Sequence, residues 1–211
     1  MTVHRIVVGL LKTNCYVLFD PVKQVAAVID PGGDCGKILA FLKERDLKLR
    51  DIYLTHGHFD HMLAAQPLRE ATDARVVVHG QDEQMLLSSF DSMYLSIDPE
   101  PFRICTPDVR IYGGERTLLG DEEVSFISTP GHSPGSVCIR VENYLFTGDT
   151  LIAGTCGRTD FRGGDPIAMR ASLRMLYRIK EDCIVYPGHG EPTILSVEQA
   201  TNPMMLDAVN G

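Results

Sequence analysis

Within seven residues, Thr55-His56-Gly57-His58-Phe59-Asp60-His61, the chain sets three histidines and an aspartate between a β-type run and a helical pattern. In an extended stretch, residues two apart share a side, so His56 and His58 can grip one ion together. Asp60 and His61 fall where the chain turns towards the helix and can reach a second position close by. Imidazole and carboxylate are ligands that suit zinc, iron or manganese. A single histidine is usually a surface or core residue. With 7 histidines in 211 residues, however, His-x-His-x-Asp-His arises by chance in roughly one chain in two thousand. The segment calls for a fold that delivers further ligands to the end of that strand.

Two more histidines stand in matching contexts. Pro130-Gly131-His132-Ser133-Pro134-Gly135 follows a β-type run ending near Ser128, and Pro187-Gly188-His189-Gly190 follows the run Cys183 to Tyr186. In both, Pro and Gly turn the backbone and a histidine is presented at the strand exit. Leu145-Phe146-Thr147-Gly148-Asp149-Thr150 places Asp149 in an equivalent position. Loops at one edge of a rigid sheet converge on a single site.

The rest of the pattern supplies such sheets. β-type runs are expected at His4 to Val8, Cys15 to Phe19, Val25 to Ile29, Asp51 to Thr55 and Arg75 to Val78, then at Val109 to Tyr112, Glu123 to Ser128, Ser136 to Val141, Tyr144 to Thr147 and Cys183 to Tyr186. Helical spacing of apolar residues marks Gly36 to Arg45, Met62 to Thr72, Gln81 to Ser88 and Asp165 to Lys180. Asp34 is the expected N-cap of the first helix. Residues 89–108 read as a surface excursion of the kind that shapes a pocket. Two β-rich halves, each followed by helices, predict an α/β layered sandwich, sheets inside and helices outside, as one domain over residues 1–211. The Met-rich tail, Met204-Met205-Leu206, is expected to pack on the body or on a partner chain.

Composition narrows the function classes. A formal net charge of -8 argues against a nucleic-acid partner. No apolar run approaches the roughly 18 residues of a membrane span. The first residues lack the marks of a secretory signal, so a cytoplasmic chain is expected. Its six scattered cysteines read as free thiols. His4 and His79 lie on β runs without partner motifs and read as structural, and Cys156 as a plain buried thiol.

The set His56, His58, Asp60, His61, His132, Asp149 and His189 resembles that of the metallo-β-lactamase-fold hydrolases, over nearly the whole chain. The resemblance implies a four-layer αββα sandwich whose edge carries two divalent metal ions, usually Zn2+, with Fe or Mn also compatible. It implies that His56, His58 and His132 bind the first metal, that Asp60, His61 and His189 bind the second, and that Asp149 bridges them. Class B1 lactamases stop at His-x-His-x-Asp and add a Cys ligand, so lactamase activity is not expected of a chain with His61.

Within the superfamily the chain is similar to the short glyoxalase II branch, a group of hydroxyacylglutathione hydrolases. The local marks are Gly148-Asp149-Thr150-Leu151, Gly157-Arg158-Thr159-Asp160-Phe161, Gly188-His189-Gly190-Glu191-Pro192-Thr193 and Glu198-Gln199-Ala200-Thr201-Asn202-Pro203. The chain ends 22 residues after His189, so the helical glutathione-binding domain of the long enzymes is not expected. Gly190 and Glu191 replace the Glu and Tyr that follow the last histidine in those enzymes. Arg158 alone matches a basic family position near the thioester; its alternative is a structural salt bridge. The function implied is hydrolysis of a small-molecule thioester of the S-acylglutathione (S-lactoylglutathione) type by a bridging hydroxide, with Asp60 as the catalytic residue orienting it. The alternative is a persulfide dioxygenase, whose family shares the fold and a Gly-Cys-Gly-Arg-Thr-Asp-Phe segment, with a single iron on His56, His132 and Asp149. A metal-dependent phosphodiesterase and a non-catalytic binding module complete the alternatives.

Overall fold

The computed structural model describes residues 1–94, 96 and 98–210. Two six-stranded sheets are built one after the other along the chain. The first, in spatial order, holds β1 (Thr2–Val8), β2 (Thr13–Asp20), β3 (Val25–Ile29), β4 (Lys48–Tyr53), β5 (Arg75–His79) and β6 (Val109–Ile111). The second runs from β7 (Arg116–Leu119) through β8 (Glu122–Ser128), β9 (Val137–Val141), β10 (Tyr144–Gly148) and β11 (Ile184–Pro187) to β12 (Thr193–Ile194). In the first sheet β3, β4, β5 and β6 are parallel neighbours; in the second, β10 and β11 are.

The period-2 alternation of strand side chains sorts the core into three layers. On β2, Cys15, Val17 and Phe19 face outwards, where α1 (Cys35–Glu44) and α3 (Ala65–Thr72) cover them with Ile38, Phe41 and Leu68. Tyr16 and Leu18 face inwards and join Ile29, Tyr53, Phe126, Ile139 and Phe146 between the sheets. On β10 the neighbour of Phe146, Leu145, points to the opposite face, against Met169, Leu173 and Leu176 of α5 (Pro166–Tyr177). The result is helix, sheet, sheet, helix: the αββα sandwich expected. Buried tyrosines need a partner for the hydroxyl. Tyr16 donates to the carbonyl of Pro187 at 2.7 Å, across the sheets.

Local chemistry explains where the elements begin and where the expectations shift. Asp165 caps α5, its carboxylate accepting from the Ile167 and Ala168 N–H groups, with Pro166 at the first helical position. Asp34 does not cap α1 with its side chain; it sits at φ 55° and accepts from the Gly9 N–H at 3.0 Å, tying the helix start to the β1–β2 turn. The helix expected from Met62 splits into α2 (Phe59–Met62) and α3, because Pro67 has no N–H for the Leu63 carbonyl. Gln81 to Ser88 shortens to a 3-10 turn, Gly80–Asp82, and α4 (Glu83–Leu87).

β7 and β12 were not anticipated: both are short edge strands, and β7 exposes Leu118. The tail forms α6 (Leu195–Thr201) and α7 (Pro203–Asn210), joined by buried Asn202, whose side-chain oxygen accepts from the Met204 and Met205 N–H groups. Met205 lies in the outer core against α5, so the tail packs on the body. No helix among the described residues is long and apolar enough to cross a membrane.

One glycine is required by close approach. A Cβ on Gly32, in the loop after β3, would stand 1.5 Å from the Asp60 carbonyl oxygen. Gly32→Ala must therefore push the α2 backbone aside. Urea unfolding should show a loss of about 1–3 kcal/mol, the usual cost of overpacking; a midpoint equal to that of the parent would contradict the contact.

Candidate metal centre

The strand ends place the site. β3 and β4 are parallel and end at the same edge of the first sheet, delivering Asp30 and the segment from Thr55. His58 is still extended, at φ -66° and ψ 146°, and α2 starts at the next residue, so Asp60 and His61 sit on its first turn. From the second sheet come His132 after β8, Asp149 directly after β10 and His189 after β11. Two backbone hydrogen bonds join the sheets here: Asn14 N–H to Gly188 O at 2.7 Å, and Val137 N–H to Thr55 O at 2.8 Å. Gly188 is packed so closely that a Cβ would lie 2.4 Å from Asp149 Oδ1.

All seven residues singled out in the sequence meet in this space. The ligand atoms of His56, His58 and His132 lie within 4.8 Å of one another, as do those of Asp60, His61 and His189, and those of His56, His61 and Asp149. Asp149 stands between the first two groups. Its Oδ2 is 3.5 Å from His132 Nε2 and 3.7 Å from His189 Nε2, and its Oδ1 is 3.6 Å from His61 Nε2. Nε2 of His56, His58 and His61 and Oδ1 of Asp149 are buried without a hydrogen-bond partner. Buried polar atoms left unpaired are costly and rare, and four of them aimed into one space fit divalent cations.

The tautomers follow from the outer partners. Thr55 Oγ1 gives its hydrogen to Asp30 Oδ2 at 2.6 Å, so its oxygen can accept from His56 Nδ1 at 3.1 Å. His61 Nδ1 donates to Asp30 Oδ2 at 2.9 Å, and His132 Nδ1 donates to the Arg158 carbonyl at 2.7 Å. In all three rings Nδ1 holds a proton against its outer partner, so Nε2 is the nitrogen turned towards a cation. His58 Nδ1 lies 2.9 Å from the bare Nε2 of His132.

Three residues that sequence reasoning passed over do this positioning. Asp30, buried and at φ 51°, takes the Thr55 N–H and hydroxyl as well as His61. Asp82, also buried, accepts from the Gly57 N–H, the Ser133 hydroxyl and the Gly135 N–H, and so binds the two histidine loops together. Thr13 donates to Asp60 Oδ2 at 2.8 Å. The signal available for Asp30 was its place at the end of a β run, in the same relation to its strand as Asp149.

Burial and neighbouring charge set the protonation of the cation-free cluster. Burial, reinforced by the other imidazoles, drives His56 well down and His58 to about 4, which keeps both in the neutral, ligating form. Burial also acts to lower His61, but the carboxylates of Asp60, Asp30 and Asp149 outweigh it and hold the ring up at about 10. For Asp60 burial is outweighed by His61, His189 and the Thr13 hydroxyl, and the carboxyl stays far below its usual range.

A cavity of about 280 Å³ opens over the cluster, lined by Leu11, His58, Phe59, Asp60, Met93, His132, Asp149, Phe161 and His189. The Arg158 side chain is paired with Asp160 at 2.7 Å and lies over Phe161 at 4.2 Å; it lines a different cavity, together with Cys156. Its contact with the cluster is the carbonyl that holds His132. His4 stacks on Phe41 at 4.1 Å, and His79 accepts from the Gln81 N–H at 3.2 Å. All six cysteines are free thiols.

The family profile described as the metallo-beta-lactamase superfamily matches residues 8–189. The hydroxyacylglutathione hydrolase GloC of Haemophilus influenzae is 31% identical, over 97% of this chain and 98% of its own. Among solved structures, BLEG-1, a B3 metallo-beta-lactamase, superposes with a TM-score of 0.87 at 33% identity, over 97% of this chain and 99% of its own. TTHA1623 in a di-iron-bound form gives 0.80 at 35% identity, over 95% and 98%. ETHE1 from Myxococcus xanthus gives 0.81 at 27% identity, over 100% and 91%.

Two measurements test the centre. Asp30→Asn should weaken the cation held by the His61 group by about 10–100-fold, the usual effect of losing an outer partner, as read by chelator competition. Because His61 holds its proton up to about 10, a cation must displace it. Affinity at that group should therefore rise with pH, by up to about tenfold per unit between pH 6 and 9. A flat profile would show that His61 does not ligate.

Proposed function

The chain belongs to the metallo-beta-lactamase superfamily, and we propose that it is a dinuclear metal-dependent hydrolase of small thioesters of the S-acylglutathione type. The observation that carries the reading is the make-up of the cavity. Every polar side chain among its described lining residues belongs to the candidate ligand set, and the others, Leu11, Phe59, Met93 and Phe161, are apolar. Two divalent cations, zinc in this reading, would act there as Lewis acids towards a carbonyl and make water acidic enough to attack at neutral pH.

The chain's own residues do the remainder. His56, His58 and His132 form one binding group, Asp60, His61 and His189 the other, and Asp149 is shared. Asp60 Oδ2, steadied by the Thr13 hydroxyl at 2.8 Å, orients the attacking water. The apolar wall of Phe59, Phe161, Met93 and Leu11 receives the acyl group and limits access of bulk water. A thiol has a pKa of about 8.5 and leaves as thiolate without a proton donor. An amide nitrogen does need one, and the described lining offers no lysine, tyrosine or cysteine to supply it. This favours a thioester over the lactam implied by the name of BLEG-1, and agrees with the name of GloC.

A second reading rests on the likeness to ETHE1 and on Cys156-Gly157-Arg158-Thr159-Asp160-Phe161: a persulfide dioxygenase using one iron on His56, His132 and Asp149. It leaves the group Asp60, His61 and His189 without a task.

Zinc-loaded protein should release free thiol from S-lactoylglutathione and be inert towards a β-lactam chromophore. Asp60→Ala, with metal content matched, should lower kcat/KM at least about a hundredfold, the scale of a misplaced reacting group. Undiminished turnover in that variant would remove Asp60 from the mechanism. Oxygen uptake by iron-loaded protein with glutathione persulfide would favour the second reading.

A further inference from the structure

Beside the metal cavity, around a second one that shares Met93 with it, two features are unfavourable for the fold itself. Phe90 leaves 75% of its surface exposed. Met93 stands at φ 62°, a conformation that a residue with a Cβ adopts only under constraint. Both neighbours of Met93 are pinned: the Ser92 carbonyl accepts from the Phe59 N–H at 2.9 Å, and the Tyr94 hydroxyl donates to the Glu100 carbonyl at 3.0 Å. Held in this way, Met93 forms a wall of the metal cavity and also of a second one, about 330 Å³, lined by Ser89, Phe90, Met93, Tyr94 and Arg162. Met93 is the one described residue that lines both cavities.

Arg162 is the one lysine or arginine among the described residues lining either cavity. Its guanidinium lies 4.8 Å over the Phe90 ring, and Nη1 is 3.1 Å from Asp91. The ring supports the cation without consuming a donor. One carboxylate occupies few of the five N–H groups, and the side chain remains 62% exposed. The carbonyl of a thioester belongs over the ligand cluster, and the rest of that cavity's described lining is apolar, so an anionic group on the carrier finds its partner only beyond it.

We propose that the thiol carrier of the substrate extends past Met93 into the second cavity, and that Arg162, supported on Phe90, binds an anionic group on that carrier, a carboxylate or a phosphate. This rests on the thioesterase reading. It gives the chain an anion-recognising residue of its own, on the loop that follows Phe161.

The test is calorimetric titration of zinc-loaded wild type, Arg162→Ala and Asp91→Asn with three inert carriers: S-methylglutathione, S-methyl-coenzyme A and the uncharged S-methyl-N-acetylcysteamine. At least one anionic carrier should bind the wild type. Arg162→Ala should weaken it tenfold or more, and Asp91→Asn, by removing the competing carboxylate, should tighten it severalfold. The uncharged carrier should not discriminate among the three proteins. Binding of the glutathione derivative identifies a carboxylate as the partner, and binding of the coenzyme A derivative a phosphate. Equal binding of anionic carriers to wild type and Arg162→Ala overturns the proposal, as does Asp91→Asn behaving like Arg162→Ala, the mark of a merely structural ion pair. Hydrolysis of the acetyl thioesters of the same carriers tests the reading beneath it separately. Arg162-dependent binding without hydrolysis refutes the thioesterase and leaves the anion site standing.

Discussion

Four polar atoms held out of water at one edge of the sandwich, Nε2 of His56, His58 and His61 and Oδ1 of Asp149, are the constraint that the neighbouring residues serve. Left unpaired, each would cost about 1–3 kcal/mol. They can be kept there only if every ring presents a lone pair and no side chain can turn away to find another partner. Asp30 and the Thr55 hydroxyl serve the first condition by fixing a proton on the far nitrogen of His61 and His56, and the Arg158 carbonyl does the same for His132. Close packing meets the second: Gly188 and Gly32 are glycines because a methyl group would collide with the cluster or its helix.

Neither sheet owns this site. His56 and His58 come from the first half of the chain and His132 from the second; Asp60 and His61 come from the first and His189 from the second. The backbone bonds Asn14 to Gly188 and Val137 to Thr55 close the sheets against each other at this edge. Asp82 repeats the device with side chains, holding Gly57 from one loop and Ser133 and Gly135 from the other. The geometry of the cluster is thus a property of the whole sandwich.

What the sequence made legible was whatever repeats locally. His-x-His-x-Asp-His declares itself within six residues, and His132, Asp149 and His189 each follow a β-type run at a similar offset. The layered core was readable for the same reason, from the alternation of residues such as Val17 and Leu18. Asp82 and Thr13 were not readable, and Asp30 was so only by its place at the end of a β run. A lone aspartate in a Pro-Gly turn looks like punctuation, and its meaning depends on partners 25 and more residues away that only the folded sheets bring near. Asp34 misled for the converse reason: its position suits a helix cap, but the Gly9 N–H across the turn claims its carboxylate. The edge strands β7 and β12 carry too little apolar alternation to be seen without the strands they pair with.

The order of the strands has one more consequence. β1 to β6 precede β7 to β12 without interleaving, and the chain crosses from one sheet to the other once, through the short stretch Tyr112 to Glu115 that contains Gly113 and Gly114. A nick between those glycines divides the polypeptide into two half-sites, each carrying an incomplete set of donors for both groups. Reassembly of such fragments would be driven by the apolar faces that the two sheets bury against each other, and a cation would add a bond between two pieces that share no covalent link.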